Sequence, residues 1–182
     1  MTFSETGLNK NLQKAISDLG FETPTPIQQE AIPYLLENEN DLIALAQTGT
    51  GKTAAFGLPV LHKVDVDRKM PQAIILCPTR ELCLQIAKDM DTYAKYIKGL
   101  RITAVYGGAS IMPQIKALKS GTQIVVGTPG RVIDLINRKS LKLQDIEFVV
   151  LDEADEMLNM GFKEDLDTIL AETPNEKQTL LF

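Results

Sequence analysis

AQTGTGKT, at residues 46–53, is the stretch on which the predicted fold depends. It matches the phosphate-loop pattern G-x-x-x-x-G-K-[ST] when Ala46 takes the first glycine position. An apolar run, Leu42–Ala46, precedes it, and a helix-like segment, Thr53–Leu61, follows it. Glycines let successive backbone N–H groups face one point and a helix start adds partial positive charge, so this arrangement suits a phosphate; the alternative is a glycine-rich turn with a surface lysine. The predicted phosphate site comprises Ala46, Gln47, Thr48, Gly49, Thr50, Gly51, Lys52 and Thr53.

A second motif, Asp152-Glu153-Ala154-Asp155, follows the apolar run Ile146–Leu151. A hydrophobic strand that ends in an acid is the usual partner of a phosphate loop, because Mg²⁺ needs a carboxylate opposite the hydroxyl of the loop. Lys52 is then predicted to reach the β/γ-phosphates, while Thr53 and Asp152 hold Mg²⁺. Glu153 is placed to polarise an attacking water. The alternative is that the acids only stabilise the start of the next helix.

Strand-like and helix-like segments alternate along most of the chain, which predicts an α/β fold. Continuous apolar strands separated by helices indicate a mostly parallel central sheet with helices on both faces. Ligands of such sheets gather at the carboxyl ends of the strands, where both motifs lie. The predicted strands are Asp41–Ala46, Gln72–Cys77, Arg101–Tyr106, Gln123–Val126, Ile146–Leu151 and Gln178–Phe182, and the clearest predicted helix is Arg80–Ile97.

Two further helices are predicted before the first strand. Apolar residues at helical spacing predict the first of them, which Gly20 ends. The second begins with Thr25 as N-cap, Pro26 at the first helical position and Gln28 at the third. Because proline removes a backbone donor, Pro33 is expected to kink this helix.

The composition is that of an ordinary soluble protein, with 44% apolar and 24% charged residues in 182, so one compact domain is expected. No secretory signal and no membrane span are predicted. Cys77 and Cys83 form no metal-type cluster and are predicted to be buried, while His62 is predicted to be a helix-surface residue. A reducing cytoplasm is therefore the expected location. The net charge of −5 argues against nucleic-acid binding through bulk positive charge, so any such contact must be local.

Over nearly the whole chain, six motifs resemble, in order, those of the first RecA-like lobe of the DEAD-box RNA helicases. Gly20–Gln28 resembles the Q motif, with Phe3 at the upstream aromatic position of the family, and residues 46–53 resemble motif I. Cys83 stands where the family usually has alanine, which is also small. The other matches are Pro78-Thr79-Arg80-Glu81-Leu82 with motif Ia, Gly107-Gly108 with the glycine doublet, Thr128-Pro129-Gly130-Arg131 with motif Ib, and Asp152–Asp155 with the motif that names the family. The resemblance implies a RecA-like P-loop NTPase fold.

The resemblance also implies that the nucleotide is ATP, with ADP as product and Mg²⁺ as the metal. It assigns adenine recognition to Gln28, with Phe3 stacked on the base and with Phe21 and Thr23 in the same site. A glutamine amide can pair with N6 and N7 of adenine at once. From the residues alone, Gln28 fits equally well as the capping-box partner of Thr25, and Phe3 fits a buried core side chain.

Three loops, at Thr79, Ser110 and Thr128, each follow a predicted strand and open a helix with a capping hydroxyl. Free N–H groups at such helix starts bind phosphate, and Arg80 and Arg131 add charge-assisted hydrogen bonds. Ordinary capped helices are the alternative. The resemblance implies that RNA binds there through its backbone, with no sequence preference. The implied RNA-binding residues are Pro78, Thr79, Arg80, Glu81, Gly107, Gly108, Thr128, Pro129, Gly130 and Arg131, and Asp155 would couple the nucleotide and RNA sites between lobes.

The resemblance divides the chain into a Q-motif helical region, residues 1–40, packed on RecA-like domain 1, residues 41–182. The chain stops before the Ser-Ala-Thr motif of the family, and the second RecA-like lobe is absent. We therefore expect this lobe to bind adenine nucleotide but to be nearly inactive, whereas the intact protein would couple ATP hydrolysis to RNA binding and local duplex unwinding or remodelling. A nucleotide-gated RNA clamp and a DNA- or protein-directed ATPase are the alternatives. The final strand, Gln178–Phe182, is expected to pair imperfectly because it ends abruptly.

Overall fold

Six short strands form one parallel sheet in the computed structural model, which describes residues 1–182. The strand order across the sheet is β1-β6-β5-β2-β4-β3, and every neighbouring pair is parallel. Each strand overlaps the run that predicted it. The strands are β1 (Leu42–Ile43), β2 (Ala73–Leu76), β3 (Ile102–Val105), β4 (Ile124–Gly127), β5 (Phe148–Leu151) and β6 (Gln178–Leu181).

Eight α-helices cover the sheet, and a short 3₁₀ turn, Phe3–Glu5, precedes them. The helices are α1 (Lys10–Asp18), α2 (Pro26–Glu37), α3 (Lys52–Lys63), α4 (Arg80–Tyr93), α5 (Ile111–Lys119), α6 (Pro129–Asn137), α7 (Ala154–Asn159) and α8 (Lys163–Ala171). The predicted α/β fold is confirmed. Helix α4 ends at Tyr93 instead of Ile97, and α2 continues through Pro33 to Glu37. No helix is long and apolar enough to cross a membrane.

The sheet divides the apolar interior into two cores, one on each face. Side chains of α1 to α4 form the first core, and those of α5 to α8 form the second. Strand β2 shows how one strand supplies both: Ala73 and Ile75 belong to the first core, and Ile74 and Leu76 to the second. Because successive side chains of a strand alternate between faces, a strand covered on both sides must be apolar throughout.

The expected weakness of the last strand is wrong. Strand β6 lies inside the sheet, where it pairs with β1 on one side and β5 on the other. Its Leu180 is 1% exposed, and the Phe182 N–H still donates to Leu151 O at 3.0 Å. The edge strand on this side is the two-residue β1. Order along the chain does not determine order across a parallel sheet, since each crossover can skip a neighbour.

Candidate functional site

Residues 46–53, the phosphate loop, connect β1 to α3 at the carboxyl edge of the sheet. Gly49 and Gly51 have φ angles of 82° and 85°, in the left-handed region that glycine adopts without a Cβ penalty. Gly51 is the N-cap of α3, so Lys52 occupies the first helical position. The Thr50 hydroxyl donates to Gln47 O at 2.6 Å and closes the turn. The predicted helix after the loop is confirmed, one residue earlier at its start and two residues longer at its end.

Asp152 follows β5 and lies opposite the phosphate loop. Its side chain is buried, and Lys52 Nζ lies 3.6 Å from its Oδ1. That oxygen has no hydrogen-bond partner. Burial raises the pKa of the Asp152 carboxyl, and the Lys52 ammonium opposes the rise only in part. A buried carboxylate oxygen that is paired with a lysine but accepts no hydrogen bond, beside a phosphate loop, fits a hydrated divalent cation.

Glu153 has an unusual backbone conformation for a residue with a side chain. Its φ and ψ are 55° and 50°, which is left-handed, and it is the N-cap of α7. Such a conformation costs about 1–2 kcal/mol in a residue with a Cβ. Its N–H donates to Phe182 O at 2.9 Å, which helps to hold the turn. Strain of this kind is characteristic of functional positions, where the surrounding structure enforces it.

A cleft of 730 Å³ separates the phosphate loop from the acidic motif, residues 152–155. Its walls contain Ala46, Gln47, Thr48 and Lys52 on one side and Glu153, Ala154, Asp155 and Glu156 on the other. Asp155, the residue expected to couple the two sites, therefore faces the same space as Lys52. The apolar floor is made by the ends of β1 and β6.

Gln28 is 5% exposed, and both ends of its amide are hydrogen-bonded. Its Oε1 accepts from Thr25 N–H at 3.0 Å, so the helix-cap contact is made. Its Nε2 donates to Gly51 O at 3.0 Å, a contact across 23 residues to the phosphate loop. A Cβ built on Gly51 would overlap Nε2, so only glycine at this position allows the approach. Thr25 Oγ1 is buried without a hydrogen-bond partner.

Phe3 and Phe21, the two aromatic residues assigned to the adenine site, differ sharply in exposure. Phe3 is 5% exposed and belongs to the first core, so the assignment of base stacking to Phe3 is corrected: its ring is a core side chain. Phe21 is 45% exposed, beside the likewise exposed Thr23. A side chain fixed in a close-packed core has no free face for a base.

Residues of motifs Ia and Ib and of the glycine doublet meet at a groove of 430 Å³, here called the rim groove. Its lining is Pro78, Arg80, Gly107, Thr128, Gly130, Arg131, Asp134 and Phe162. The other assigned residues lie outside this lining. Thr79 caps α4, and Glu81 is exposed in the first turn of that helix. Gly108 accepts a hydrogen bond from Arg80, and Pro129 is buried.

The three capping hydroxyls do not behave alike. Thr79 Oγ1 accepts from Leu82 N–H at 3.2 Å, as predicted for an N-cap. Ser110 and Thr128 occupy N-cap positions, but their side chains make no capping hydrogen bond, so that part of the prediction is wrong. At Thr128 the next residue is Pro129, which has no N–H, so fewer free donors remain to be capped there.

Both arginines of the rim groove are already hydrogen-bonded to the loop of the glycine doublet. Arg80 Nη1 donates to Gly108 O at 3.3 Å, and its guanidinium lies 5.0 Å above the Tyr106 ring. Arg131 Nη2 donates to Ala109 O at 2.9 Å. The loop is thus held between α4 and α6.

Comparison with known proteins agrees with this geometry. The family model described as DEAD/DEAH box helicase matches residues 25–182. The chain belongs to the DEAD/DEAH box helicase family. It is 53% identical over 182 residues to an ATP-dependent RNA helicase, DeaD, of Haemophilus influenzae, and 56% identical over 180 residues to an ATP-dependent RNA helicase, CshA, of Listeria monocytogenes.

Two solved structures have the same fold as this chain. A DEAD box protein of the hyperthermophile Methanococcus jannaschii matches with a TM-score of 0.95 and 48% identity, and Dbp5 of S. cerevisiae, bound to RNA and ADP BeF3, with 0.89 and 38%. Both matches cover all of this chain but only 49% and 46% of the other. The chain spans 30% and 34% of the lengths of the two helicases named above. The RecA-like fold is thereby confirmed.

Three residues of this DEAD-box chain that sequence reasoning missed lie at the rim groove. Phe162 and Asp134 line it, and Gln114 hydrogen-bonds to Arg131. Phe162 stands at the junction of α7 and α8, after Gly161, whose φ of 85° turns the chain. A glycine–aromatic pair soon after the acidic motif was the available signal; Gln114 gave none, because a glutamine inside a helix is common.

The remaining predicted side chains are structural. Cys77 and Cys83 are buried free thiols, as predicted, and their proximity together with burial raises the pKa of Cys77. His62 differs from the expected surface residue, because it is partly buried and its Nδ1 accepts from Asn9 N–H at 3.2 Å. Burial lowers the pKa of His62, which favours the neutral ring that this contact requires.

Proposed function

We propose that this chain is the ATP-binding lobe of a DEAD-box RNA helicase. The observation that carries the proposal is the ion pair between Lys52 and the buried Oδ1 of Asp152 beside the phosphate loop, an oxygen that accepts no hydrogen bond. Lys52 binds the β/γ-phosphates, and the backbone N–H groups around Gly49 and Gly51 surround them. Thr53 and Asp152 hold Mg²⁺, which neutralises phosphate charge when bound. Glu153 orients and polarises the attacking water.

Adenine recognition is assigned to Gln28 and Phe21, with Thr23 alongside. Gln28 lies against the carbonyl of Gly51, so the residue that reads the base also contacts the loop that binds the phosphates. To pair with adenine, its amide exchanges one or both of the present hydrogen bonds for bonds to the base. Phe21 has the exposed ring that stacking requires.

RNA is assigned to the rim groove. Arg80 and Arg131 supply charge, and the backbone at Gly107 and Gly130 is open, since a Cβ added at either glycine would meet no atom within 4 Å. A sugar–phosphate chain can therefore approach the backbone closely at both positions. A chain of net charge −5 can bind RNA in this way because the contacts are few and local. The RNA-bound state of Dbp5, a protein of the same fold, supports the assignment.

The whole protein is proposed to be an RNA-stimulated ATPase with two lobes. The two named helicase relatives are about three times as long as this chain, which leaves room for a second RecA-like lobe. Closure of two lobes on ATP and RNA would complete the catalytic site and distort the RNA, so that short duplexes open. The cytoplasm is the proposed location.

Calorimetric titration with Mg²⁺ and three ligands, ADP, GDP and pyrophosphate, tests the nucleotide assignment. Because Gln28 contacts both the loop and the proposed base, weaker ADP binding by Gln28→Ala does not by itself separate the two roles. Pyrophosphate, which has no base, reports the role of the loop alone. If Gln28 reads adenine, Gln28→Ala weakens ADP by about tenfold more than pyrophosphate, the equivalent of one polar contact. Equal loss for all three ligands would mean that Gln28 only supports the loop.

Thr50→Val is the matched control for this titration. It removes the hydrogen bond from Thr50 to Gln47 within the loop and touches no base-binding residue. We expect it to weaken ADP, GDP and pyrophosphate by the same factor. If parent protein binds GDP as tightly as ADP, the assignment of adenine specificity is wrong, although the phosphate site stands.

A further inference from the structure

Gln114 is a buried polar side chain that neither the motifs nor the nucleotide site explains. It lies on α5, is 7% exposed, and both ends of its amide are hydrogen-bonded. Oε1 accepts from Arg131 Nη1 at 2.9 Å, and Nε2 donates to Tyr106 O at 3.2 Å. Burial of an amide is costly unless both ends find partners, so these contacts fix one orientation of the side chain.

One partner of Gln114 belongs to motif Ib, and the other lies directly before the glycine doublet. Arg131 is the arginine of motif Ib, and Tyr106 follows β3 immediately before the glycine doublet. The Tyr106 ring in turn lies under the guanidinium of Arg80, the arginine of motif Ia. Gln114 therefore contacts Arg131 directly, and it also contacts the backbone of Tyr106, whose ring supports Arg80.

The hydrogen bonds also determine which part of Arg131 is free. Gln114 engages Nη1 and Ala109 O engages Nη2, while one N–H of each of these nitrogens and the Nε–H make no hydrogen bond within the chain. Both partners are neutral oxygens, so neither hydrogen bond pairs the guanidinium with a negative charge. A carboxylate in place of the amide would neutralise that charge and would have no donor for Tyr106 O.

We propose that Gln114 is a positioning residue for RNA. It orients Arg131 toward the phosphates of the bound strand, and through Tyr106 it positions the ring on which the guanidinium of Arg80 lies. This inference rests on the proposed RNA contact at the rim groove. An arginine held by two neutral acceptors loses less rotamer entropy when it meets a phosphate than a free one does.

The test measures RNA affinity of the full-length protein, with Mg²⁺ and a non-hydrolysable ATP analogue, for Gln114→Met, Arg131→Ala and the double variant. Gln114→Met keeps the size of the side chain and removes both hydrogen bonds. We expect it to weaken RNA by about tenfold, the scale of one hydrogen bond to a charged group. In the Arg131→Ala background the same change should add less than about twofold, because the residue acts through Arg131.

Gln114→Glu supplies an independent readout. Loss of one phosphate contact to single-stranded RNA lowers the slope of log affinity against log salt by about 0.7. A purely structural role would not change this slope. Gln123→Met is the matched control: Gln123 is also a buried amide, and it accepts from Arg101 N–H and donates to Val66 O at the amino end of β4. It should lower the melting temperature and leave RNA affinity unchanged.

The outcomes separate this inference from the function on which it rests. If Arg131→Ala weakens RNA but Gln114→Met does not, or if the two effects add fully, the positioning role is wrong and the RNA groove stands. If Arg131→Ala leaves RNA affinity unchanged, the assignment of RNA to the rim groove fails, and the role of Gln114 fails with it. Unchanged ADP affinity in every variant shows that the effect is confined to RNA.

Discussion

At the scale of single residues, the proposed nucleotide site combines two features that make the folded state less stable. Asp152 is buried and its Oδ1 has no hydrogen-bond partner, and Glu153 next to it has a left-handed backbone. Each feature makes the folded state less stable than an ordinary residue would. A ligand that pairs with Asp152 recovers part of that free energy on binding, which is a physical reason for a strained, desolvated site.

The pH dependence of Asp152→Asn tests this cost. Burial raises the pKa of Asp152 in the folded protein. The contribution of this carboxyl to stability is therefore fully present below its unfolded pKa, and it is lost as the pH rises through the folded pKa. Asn does not titrate. Relative to the parent, the variant should therefore gain stability as the pH rises from about 4, the ordinary pKa of an aspartate, toward neutral pH.

Urea unfolding of both proteins across that pH range, without nucleotide, measures the difference. Glu156→Gln removes a carboxylate from an exposed position of α7 and is the control. A stability difference that is constant with pH would show that Asp152 is not electrostatically strained. Asp152→Asn should also bind ADP–Mg²⁺ more weakly than the parent does.

At the scale of elements, the hydrogen bonds of side-chain amides hold the loops at the amino edge of the sheet. Gln72, Gln123 and Gln178 stand at or directly before the starts of β2, β4 and β6, and each is at most 5% exposed. Their amides donate to loop carbonyls: Gln72 to Asp65 and Arg68, Gln123 to Val66 and Gly99, Gln178 to Asn38 and Asn40. These bonds satisfy backbone carbonyls of the loops that lead into the sheet.

The C-terminus of α6 carries a strained residue with no functional contact. Ser140 N–H donates to Leu135 O and Lys139 N–H to Ile136 O, both at 2.9 Å, which is a Schellman motif. Its left-handed position, with φ of 58°, is occupied by Lys139 where glycine is the usual residue. Lys139→Gly should therefore stabilise the protein by about 1 kcal/mol.

Urea unfolding at neutral pH tests the effect of Lys139→Gly. Lys142→Gly is the matched control, because Lys142 is also an exposed lysine after the same helix but has no positive φ. Glycine there only adds freedom to the unfolded chain, so the control should be neutral or slightly destabilising. A loss of stability in Lys139→Gly would mean that the side chain of Lys139 contributes more than its backbone costs.

At the scale of the whole molecule, one edge of the sheet carries both proposed sites. The cleft between the phosphate loop and the acidic motif lies at the carboxyl ends of β1, β6 and β5, and the rim groove lies at those of β2, β4 and β3. Strand order therefore separates the two sites along one edge, with the acidic motif between them. A second lobe that closes over this edge would contact nucleotide and RNA at the same time.

The isolated lobe should bind ADP–Mg²⁺ but hydrolyse ATP negligibly, with or without RNA. Charge stabilisation at the γ-phosphate by arginines is worth about 10³–10⁵ in rate in related chemistry, and here those groups belong to the proposed second lobe. Steady-state ATP turnover of this chain beside the full-length protein, each with saturating RNA, measures the difference. Comparable rates would contradict the prediction and would show that this lobe contains all catalytic groups.

Local patterns in the chain were sufficient to predict the phosphate loop, the acidic motif, all six strands and the parallel α/β architecture. Glycine placement, strand apolarity and capping residues act over a few positions, so their consequences are visible in the sequence. The same patterns assigned Arg80 and Arg131 to one surface, and both line the rim groove.

The tertiary structure alone decided what depends on neighbours distant in sequence. It placed β6 inside the sheet, buried Phe3 in the core, and brought Gln28 against Gly51 and Gln114 against Arg131. Burial and hydrogen-bond partners are set by how helices and strands pack, and no local pattern contains that information. The physical reason is that a side chain's environment belongs to the assembled fold, whereas its conformational preferences belong to the chain.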